Sequence, residues 1–260
     1  MNEIVKYHND LNALAFKGFS DVELKIFFAI CSRLRDKGTQ DVVFTFDQLK
    51  ELTDEKKHYT VQEYADLMQE MYHKLIHLSF VYNDGKDIAG EFNIFQGYER
   101  SISQQTFTVS VSEKYLHFFN ELTREFTRFE LQEFVQLNGK YTKLLYRLLK
   151  QYRVVGHYSI EIAKLRELMD CPETYETKSM TNRVIEPAVN KLRKVYVFRN
   201  LTFKYSYRGR KAIRVIFDWD PEKIPGKEEP QIKEPVKKEY DMEEIRRIVA
   251  EVNEMFPENR

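Results

Sequence analysis

The chain has 260 residues, 42% of them hydrophobic, and its 19 Phe and 16 Tyr supply volume for one large core or two small ones. It begins without a basic-then-apolar leader, and no apolar run approaches the roughly 20 residues that span a bilayer. Cys31 and Cys171 stand far apart without metal-ligand spacing, so a soluble, cytoplasmic protein with idle thiols and no metal, cofactor or membrane contact is expected.

The net charge of zero is unevenly distributed. Residues 1–137 carry 15 Lys/Arg against 22 Asp/Glu, residues 138–217 carry 18 against 6, and residues 218–260 carry 8 against 13. Within 178–217 the imbalance reaches 11 basic residues against one acidic, Glu186. A solvated surface usually mixes both signs, whereas a field of one sign attracts polyanions. Nucleic acid is the expected partner.

In chain order, the first strong signal is a helix over 20–35. Ser20 is placed to cap it, Glu23 occupies the capping-box position, and Leu24, Phe27, Phe28, Ile30, Cys31 and Leu34 form its apolar stripe. A strand at 42–46, a short helix at 47–52 and a helix at 61–77 follow. Strands at 79–83 and 90–95 flank an Asp84-Gly85-Lys86 turn. A strand at 106–111 and a helical segment at 113–120 close this series. From about Thr123 a similar order begins again: a helix at 139–153 capped by Asn138, a strand at 158–160, a short helix at 161–169, and a longer helix at 178–194. Strands at 197–207 and 211–217 then join through Arg208-Gly209-Arg210.

The two series superpose. Leu49-Lys50-Glu51-Leu52 parallels Leu165-Arg166-Glu167-Leu168, and Lys74-Leu75 and Lys191-Leu192 follow at similar spacing. Helix, strand, helix, helix, hairpin is winged-helix order, so an α+β chain of two tandem winged-helix domains is expected, at 1–122 and 123–220. After Pro221, prolines alternating with Lys and Glu predict a linker over 221–260, with a short amphipathic helix at 241–255.

On a helical wheel over 178–194, Thr181, Ile185, Ala188, Val189, Leu192 and Val195 form a core-facing arc. Ser179, Arg183, Glu186, Asn190 and Arg193, with Asn182 at the edge, form another. Arg suits guanine, Asn adenine, and Glu the cytosine amino group, so this arc has the composition of a major-groove reading face. Lys178 and Ser179, near the helix start, are placed for phosphate. Pro187 stands inside this helix and predicts a kink or a break. Arg208, Arg210 and Lys211 crowd the hairpin tip as a backbone clamp or minor-groove wing, and Lys140, Tyr141 and Lys143 form a further phosphate cluster. The first domain's counterpart helix presents Gln62, Glu63, Asp66, Gln69 and Glu70, a face that phosphate repels and that suits a protein partner or solvent.

Catalytic signals are missing where they can be tested. Residues 85–91 lack the Gly-Lys-Ser/Thr ending of a phosphate-binding loop, and His73 and His77 have no third ligand in the pattern. No His-x-His pair supports a metal-dependent nicking enzyme, so a protein without catalytic residues is expected.

Three blocks carry a resemblance. Residues Lys140-Tyr141-Thr142-Lys143-Leu144-Leu145-Tyr146-Arg147-Leu148-Leu149-Lys150-Gln151-Tyr152, then Leu165-Arg166-Glu167-Leu168-Met169, then Arg183-Val184-Ile185-Glu186-Pro187-Ala188-Val189, resemble the iteron-binding plasmid replication initiators of the RepB-like type. Asn12-Ala13-Leu14 and Phe19-Ser20 extend the likeness over about residues 1–220. The resemblance implies two winged-helix domains, the second supplying the main reading helix at 178–194 and the first supporting dimerisation and secondary DNA contacts. It also implies binding to repeated origin sequences in double-stranded DNA, self-association between monomer and dimer, recruitment of a host initiator and replicative helicase, and repression of the initiator's own gene by dimers. A dimeric winged-helix transcriptional regulator needs the same DNA face and stands as the alternative.

Overall fold

The computed structural model of the chain describes residues 3–83, 89–120 and 122–223, with 80–83, 89, 90 and 92 described in backbone alone. The turn expected around Asp84-Gly85-Lys86, nearly all of the 221–260 linker and the helix expected at 241–255 lie outside the described residues.

Strand β1 (Ile4–His8) leads through a 3₁₀ turn to α1 (Asp21–Leu34). Ser20 caps α1 as expected: its hydroxyl accepts the Glu23 N–H at 3.3 Å, and the Glu23 carboxylate accepts the Ser20 N–H at 2.7 Å. Such a cap stabilises a helix by about 1 kcal/mol. Every residue of the expected stripe is buried, and Ile26 and Ala29 are buried as well. The reason is that α1 is covered on several sides, by β1, by α2 (Phe46–Leu52), which follows β2 (Val42–Thr45), and by two later helices. α2 and α3 (Val61–Leu75) also start from capping boxes, Thr45 with Gln48 and Thr60 with Glu63.

Next come β3 (Ser79–Asn83), β4 (Ala89–Asn93), β5 (Phe95–Ser101) and β6 (Thr106–Val111). β3 and β4 form a hairpin, while β2, β6 and β5 form an antiparallel sheet in that order. The single strand expected at 90–95 is thus two strands divided at Ile94, whose side chain is buried in the core. The segment expected to be helical at 113–120 is a 3₁₀ turn over Glu113–Phe118.

The second half contains β7 (Phe126–Glu130), α4 (Leu131–Val135), α5 (Lys140–Gln151), β8 (His157–Glu161) and α6 (Ile162–Leu168). A helical run follows as α7 (Thr177–Met180), a π turn (Thr181–Ile185) and α8 (Glu186–Leu192), and then β9 (Thr202–Arg208) and β10 (Lys211–Asp218). The sheet order is β8–β10–β9, all antiparallel. Two local expectations are corrected. Gly139, at φ 94°, caps α5 in place of Asn138, whose carbonyl instead accepts from the Thr142 hydroxyl. The strand expected from Val197 begins at Thr202, because Tyr196–Phe198 forms a 3₁₀ turn that buries Phe198.

β1 pairs antiparallel with β7, Ile4 opposite Glu130 and His8 opposite Phe126, across the division expected at 122/123. Alternation buries Val5 and Tyr7 from one strand and Thr127 and Phe129 from the other. Residues 1–222 form one unit with a continuous core, in which α5 touches α1, β7 and α8.

Candidate nucleic-acid interface

The helix expected at 178–194 exists as a run over 177–192, built around a widened turn. Pro187 has no N–H and its ring would press on the Arg183 carbonyl in a regular α-helix. Immediately before it the chain adopts π geometry, with the Glu186 N–H bonded to the Thr181 carbonyl five residues back. The run therefore continues from 177 to 192 without breaking. Met180 and Val184 join Ile185, Ala188, Val189 and Leu192 in the core, whereas Thr181 and Val195 are only partly buried. A regular 100° wheel misplaces residues on the far side of a wide turn, which explains that shift.

Lys178, Asn182, Arg183, Glu186, Asn190 and Arg193 are all exposed, and Ser179 is half-buried. The Arg183 guanidinium lies 5.4 Å over the Tyr175 ring and, like Lys178 and Glu186, makes no ion pair among the described residues. Arg193 differs: its Nε donates to the Leu201 carbonyl at 2.8 Å and its Nη1 to the Asn190 side-chain oxygen at 3.0 Å. These bonds tie the end of α8 to the loop before β9 and occupy the Asn190 side-chain oxygen, on a residue that is itself exposed.

The hairpin carries Arg208, Arg210 and Lys211 at its tip, all exposed and without an ion pair among the described residues. Gly209, at φ 61°, makes the reversal that an L side chain would strain. Further down, Lys204 pairs with Asp218 at 3.2 Å, and Arg214 donates to Ser159 at 2.9 Å. The wing is joined to the 177–192 helical run by the Tyr205 hydroxyl, 2.5 Å from the Thr181 hydroxyl. Since the Thr181 hydroxyl donates to the Thr177 carbonyl at 2.7 Å, Tyr205 is the donor in that pair. Pattern reading missed this link, although the alternation Phe203, Tyr205, Tyr207 places all three rings on one face of β9.

The third expected cluster is not assembled. Lys143 is fully buried, its ammonium 2.6 Å from Asp21 and also donating to the Leu137 carbonyl. Burial holds its pKa below the ordinary lysine value, against the raising effect of Asp21. Lys140 pairs with Asp170 at 3.0 Å and lies over Tyr141, whose half-buried hydroxyl burial pushes up. The same inward face takes Arg147, which donates to the Leu11 carbonyl at 3.2 Å and the Leu14 carbonyl at 2.7 Å and stacks on Phe16 at 4.6 Å. Lys150 pairs with Glu133 at 3.2 Å. The spacing 143, 147, 150 is one helical stripe, closed over by the elements before α5.

On α3, Gln62, Glu63, Asp66 and Glu70 are exposed, Gln69 is half-buried, and Asp66 accepts from Gln62 and Arg100. Among the described residues no helix is long and apolar enough to cross a membrane. Burial raises both thiols, Cys31 well above its ordinary value and Cys171 to about 11, so neither is poised as a nucleophile.

Comparison with known proteins bears on both halves. The family description "Initiator Replication protein, WH1" matches residues 4–150, and "Initiator Rep protein, WH2" matches residues 161–219. A curated relative, the probable replication protein rep of Bifidobacterium longum (strain NCC 2705), is 37% identical over 185 residues. That match covers 71% of this chain and 62% of the relative, less than two thirds of the relative's length. Among solved structures, that of the Pi initiator protein in complex with iteron DNA is similar at a TM-score of 0.63 and 13% identity, covering 84% of this chain and 97% of that one. Both halves are winged-helix domains, the tandem α+β architecture that the sequence predicts.

Proposed function

The chain belongs to the Initiator Replication protein family, and on that premise we propose that it starts replication by binding repeated sequences in double-stranded DNA. The Pi initiator was solved on iteron DNA, and direct repeats of that kind are the ligand class assigned here. One observation carries the reading: the helical run 177–192 and the hairpin tip, joined through Thr181 and Tyr205, expose Lys178, Arg183, Arg208, Arg210 and Lys211 without acidic partners among the described residues. The helix presents Asn182, Arg183, Glu186 and Asn190 to base edges, while the tip cations hold phosphate. Arg193 supports the helix end, and Lys140 and Tyr141 flank the site at its margin.

In this reading residues 123–220 are the reading domain. Residues 1–122 serve self-association, secondary DNA contacts and, through the acidic face of α3, host proteins such as an initiator and a replicative helicase. The protein works in the cytoplasm, opens the origin by binding rather than by bond chemistry, and as a dimer represses its own gene.

Footprinting of the full chain on the DNA beside its gene is the test. Protection of tandem direct repeats spaced by about two helical turns supports the reading. Protection of a single inverted repeat instead identifies a dimeric regulator, and metal-dependent cleavage of supercoiled origin plasmid overturns the non-enzymatic assignment.

A further inference from the structure

The wing is more than a row of cations. Rings run across its sheet from the end of α5 toward the tip: Tyr152 on Tyr158, Tyr158 on Phe217, Phe217 on Phe203, Phe203 on Tyr205 and Tyr205 on Tyr207. Phe217 is buried, Tyr152, Tyr158 and Phe203 are partly buried against the core, and Tyr205 is held by its hydrogen bond to Thr181 on the reading helix. Tyr207 lies two residues further along β9, so its side chain leaves the strand on the same, helix-facing side as Tyr205. It lies beyond the helix's cover and is 61% exposed. Opposite it, the pairing of β9 with β10 slips between Ala212 and Arg214, and the extra residue, Ile213, is a second exposed apolar side chain at 37%. An aromatic ring and an aliphatic side chain are thus held outward at the base of a tip bearing Arg208, Arg210 and Lys211.

A tip meant only to neutralise phosphate needs no exposed ring, and leaving one in water forgoes its burial. Proteins that enter the minor groove combine cations, which follow its negative potential, with an apolar wedge that partly unstacks one base step. The combination found here matches that chemistry, and residues 207–213, with three cations and no acid, suit a polyanion better than a protein surface of mixed charge. We propose that Tyr207, flanked by Ile213, is a specificity-determining wedge. It enters the minor groove beside the major-groove site of the reading helix and selects a flexible pyrimidine–purine step at a position that no base-edge contact reads. The inference rests on the DNA-binding role proposed above and adds to it a residue and a sequence preference.

The rigid link through Tyr205 and Thr181 gives the preference a fixed register. If the wing moved freely against the helix, the selected step would wander along the duplex. Because the two are joined, the step lies at one distance from the bases opposite Arg183.

The test uses the full chain and random-sequence duplexes, from which binders are selected and sequenced. The selected duplex is then labelled with 2-aminopurine at successive steps. For the unsubstituted protein we expect a pyrimidine–purine preference at one step beside the core site, and a rise in 2-aminopurine fluorescence there on binding. Tyr207→Ala is expected to abolish both and to weaken binding to the selected duplex by roughly 10- to 100-fold, within the range for losing one base–aromatic contact. Its salt dependence should be unchanged. Tyr207→Phe should retain both signals. Tyr207→Lys, which keeps an exposed and soluble strand, should hold random duplex at least as well as the unsubstituted protein and still lose the step preference. A fluorescence rise or step preference that persists in both Tyr207→Ala and Tyr207→Lys overturns the wedge, as does normal duplex binding by the unsubstituted protein with no rise at any step. Failure of the unsubstituted protein to select any duplex would instead overturn the DNA-binding role itself.

Discussion

The basic segment contains two rows of cations with opposite fates. Lys143, Arg147 and Lys150 lie on α5 at helical spacing, turned inward to Asp21, the Leu11 and Leu14 carbonyls, and Glu133. Lys178, Arg183, Arg208, Arg210 and Lys211 stand exposed on the reading helix and wing, with no acid paired to them among the described residues. Sequence density of charge is the same signal in both places. What separates them is cover: α5 is wrapped by α1, β7 and α8, so Lys143 and Arg147 tie it to the first half and Lys150 ties it to α4, while the later cations are free to meet a polyanion.

The largest expected effect breaks the inward row. Arg147→Ala removes hydrogen bonds to two buried carbonyls and the stacking on Phe16, and leaves a cavity where a large side chain was fully enclosed. Each charged hydrogen bond lost and each large-to-small core change costs a few kcal/mol, so a destabilisation of about 4 kcal/mol is expected in urea unfolding. If Arg147→Ala instead unfolds at the wild-type midpoint and weakens DNA binding, the division into inward and outward rows is wrong.

Within the outward row, base and phosphate contacts should separate. Arg183→Ala is expected to lower affinity for the specific duplex by about 1–3 kcal/mol while leaving random duplex nearly unaffected, the signature of a lost base-edge contact. Arg210→Ala should weaken both about equally, by a few-fold, and reduce the slope of log affinity against log salt by about one ion. Salt titrations of both variants on both duplexes distinguish these outcomes, and equal losses for the two variants would remove the distinction between helix and tip.

Much of this organisation is visible in the residues alone. The stripe of α1, the Ser20–Glu23 cap, the order of elements in each half and the exposed side of the 178–194 helix all follow from period and capping, which are local. The β1–β7 pairing is not local: Ile4 meets Glu130, and no pattern within either five-residue strand announces its partner. Lys143 shows the same limit at the level of the site. Its neighbours Lys140 and Tyr141 sit at a helix start, a common place for phosphate, but Asp21 reaches it from 122 residues away in sequence. The π turn was only half legible. Pro187 signals a disturbed helix, yet the choice of a widened turn over a break depends on Val184 and Ile185 both finding core contacts.

Lys143→Met gives a sharper contrast at smaller effect. The thioether fills the same buried space, Asp21 is partly exposed and can be solvated, and the Leu137 carbonyl loses one donor. A change in stability of about 1–2 kcal/mol is expected, set by the lost hydrogen bonds, because the carboxylate left behind is partly solvated and lies 4.0 Å from Lys25 instead of being a buried unpaired charge. The salt slope of DNA binding should not move. A slope reduced by one ion would mean that Lys143 reaches phosphate after all.

The smallest effect concerns the wing itself, which divides into a held root and a free tip. At the root, Asp218 lies 2.6 Å from His157 Nδ1 and 3.2 Å from Lys204 Nζ. The hydrogen bond from His157, and then that from Lys204, holds the Asp218 carboxyl below its ordinary pKa of 3.8. A carboxyl with a lowered folded-state pKa contributes stability above its unfolded value, and that contribution is lost as pH falls through the folded value. The group is partly exposed and screened, so Asp218→Asn is expected to cost only a few tenths of a kcal/mol at neutral pH. The difference between the two proteins should begin to shrink as pH drops below about 4 and vanish once the folded carboxyl is protonated. Because the tip cations are not paired with Asp218, binding to random duplex should keep its salt slope. A changed slope would show that the root sets the charge of the tip, and that the hairpin acts as one electrostatic unit.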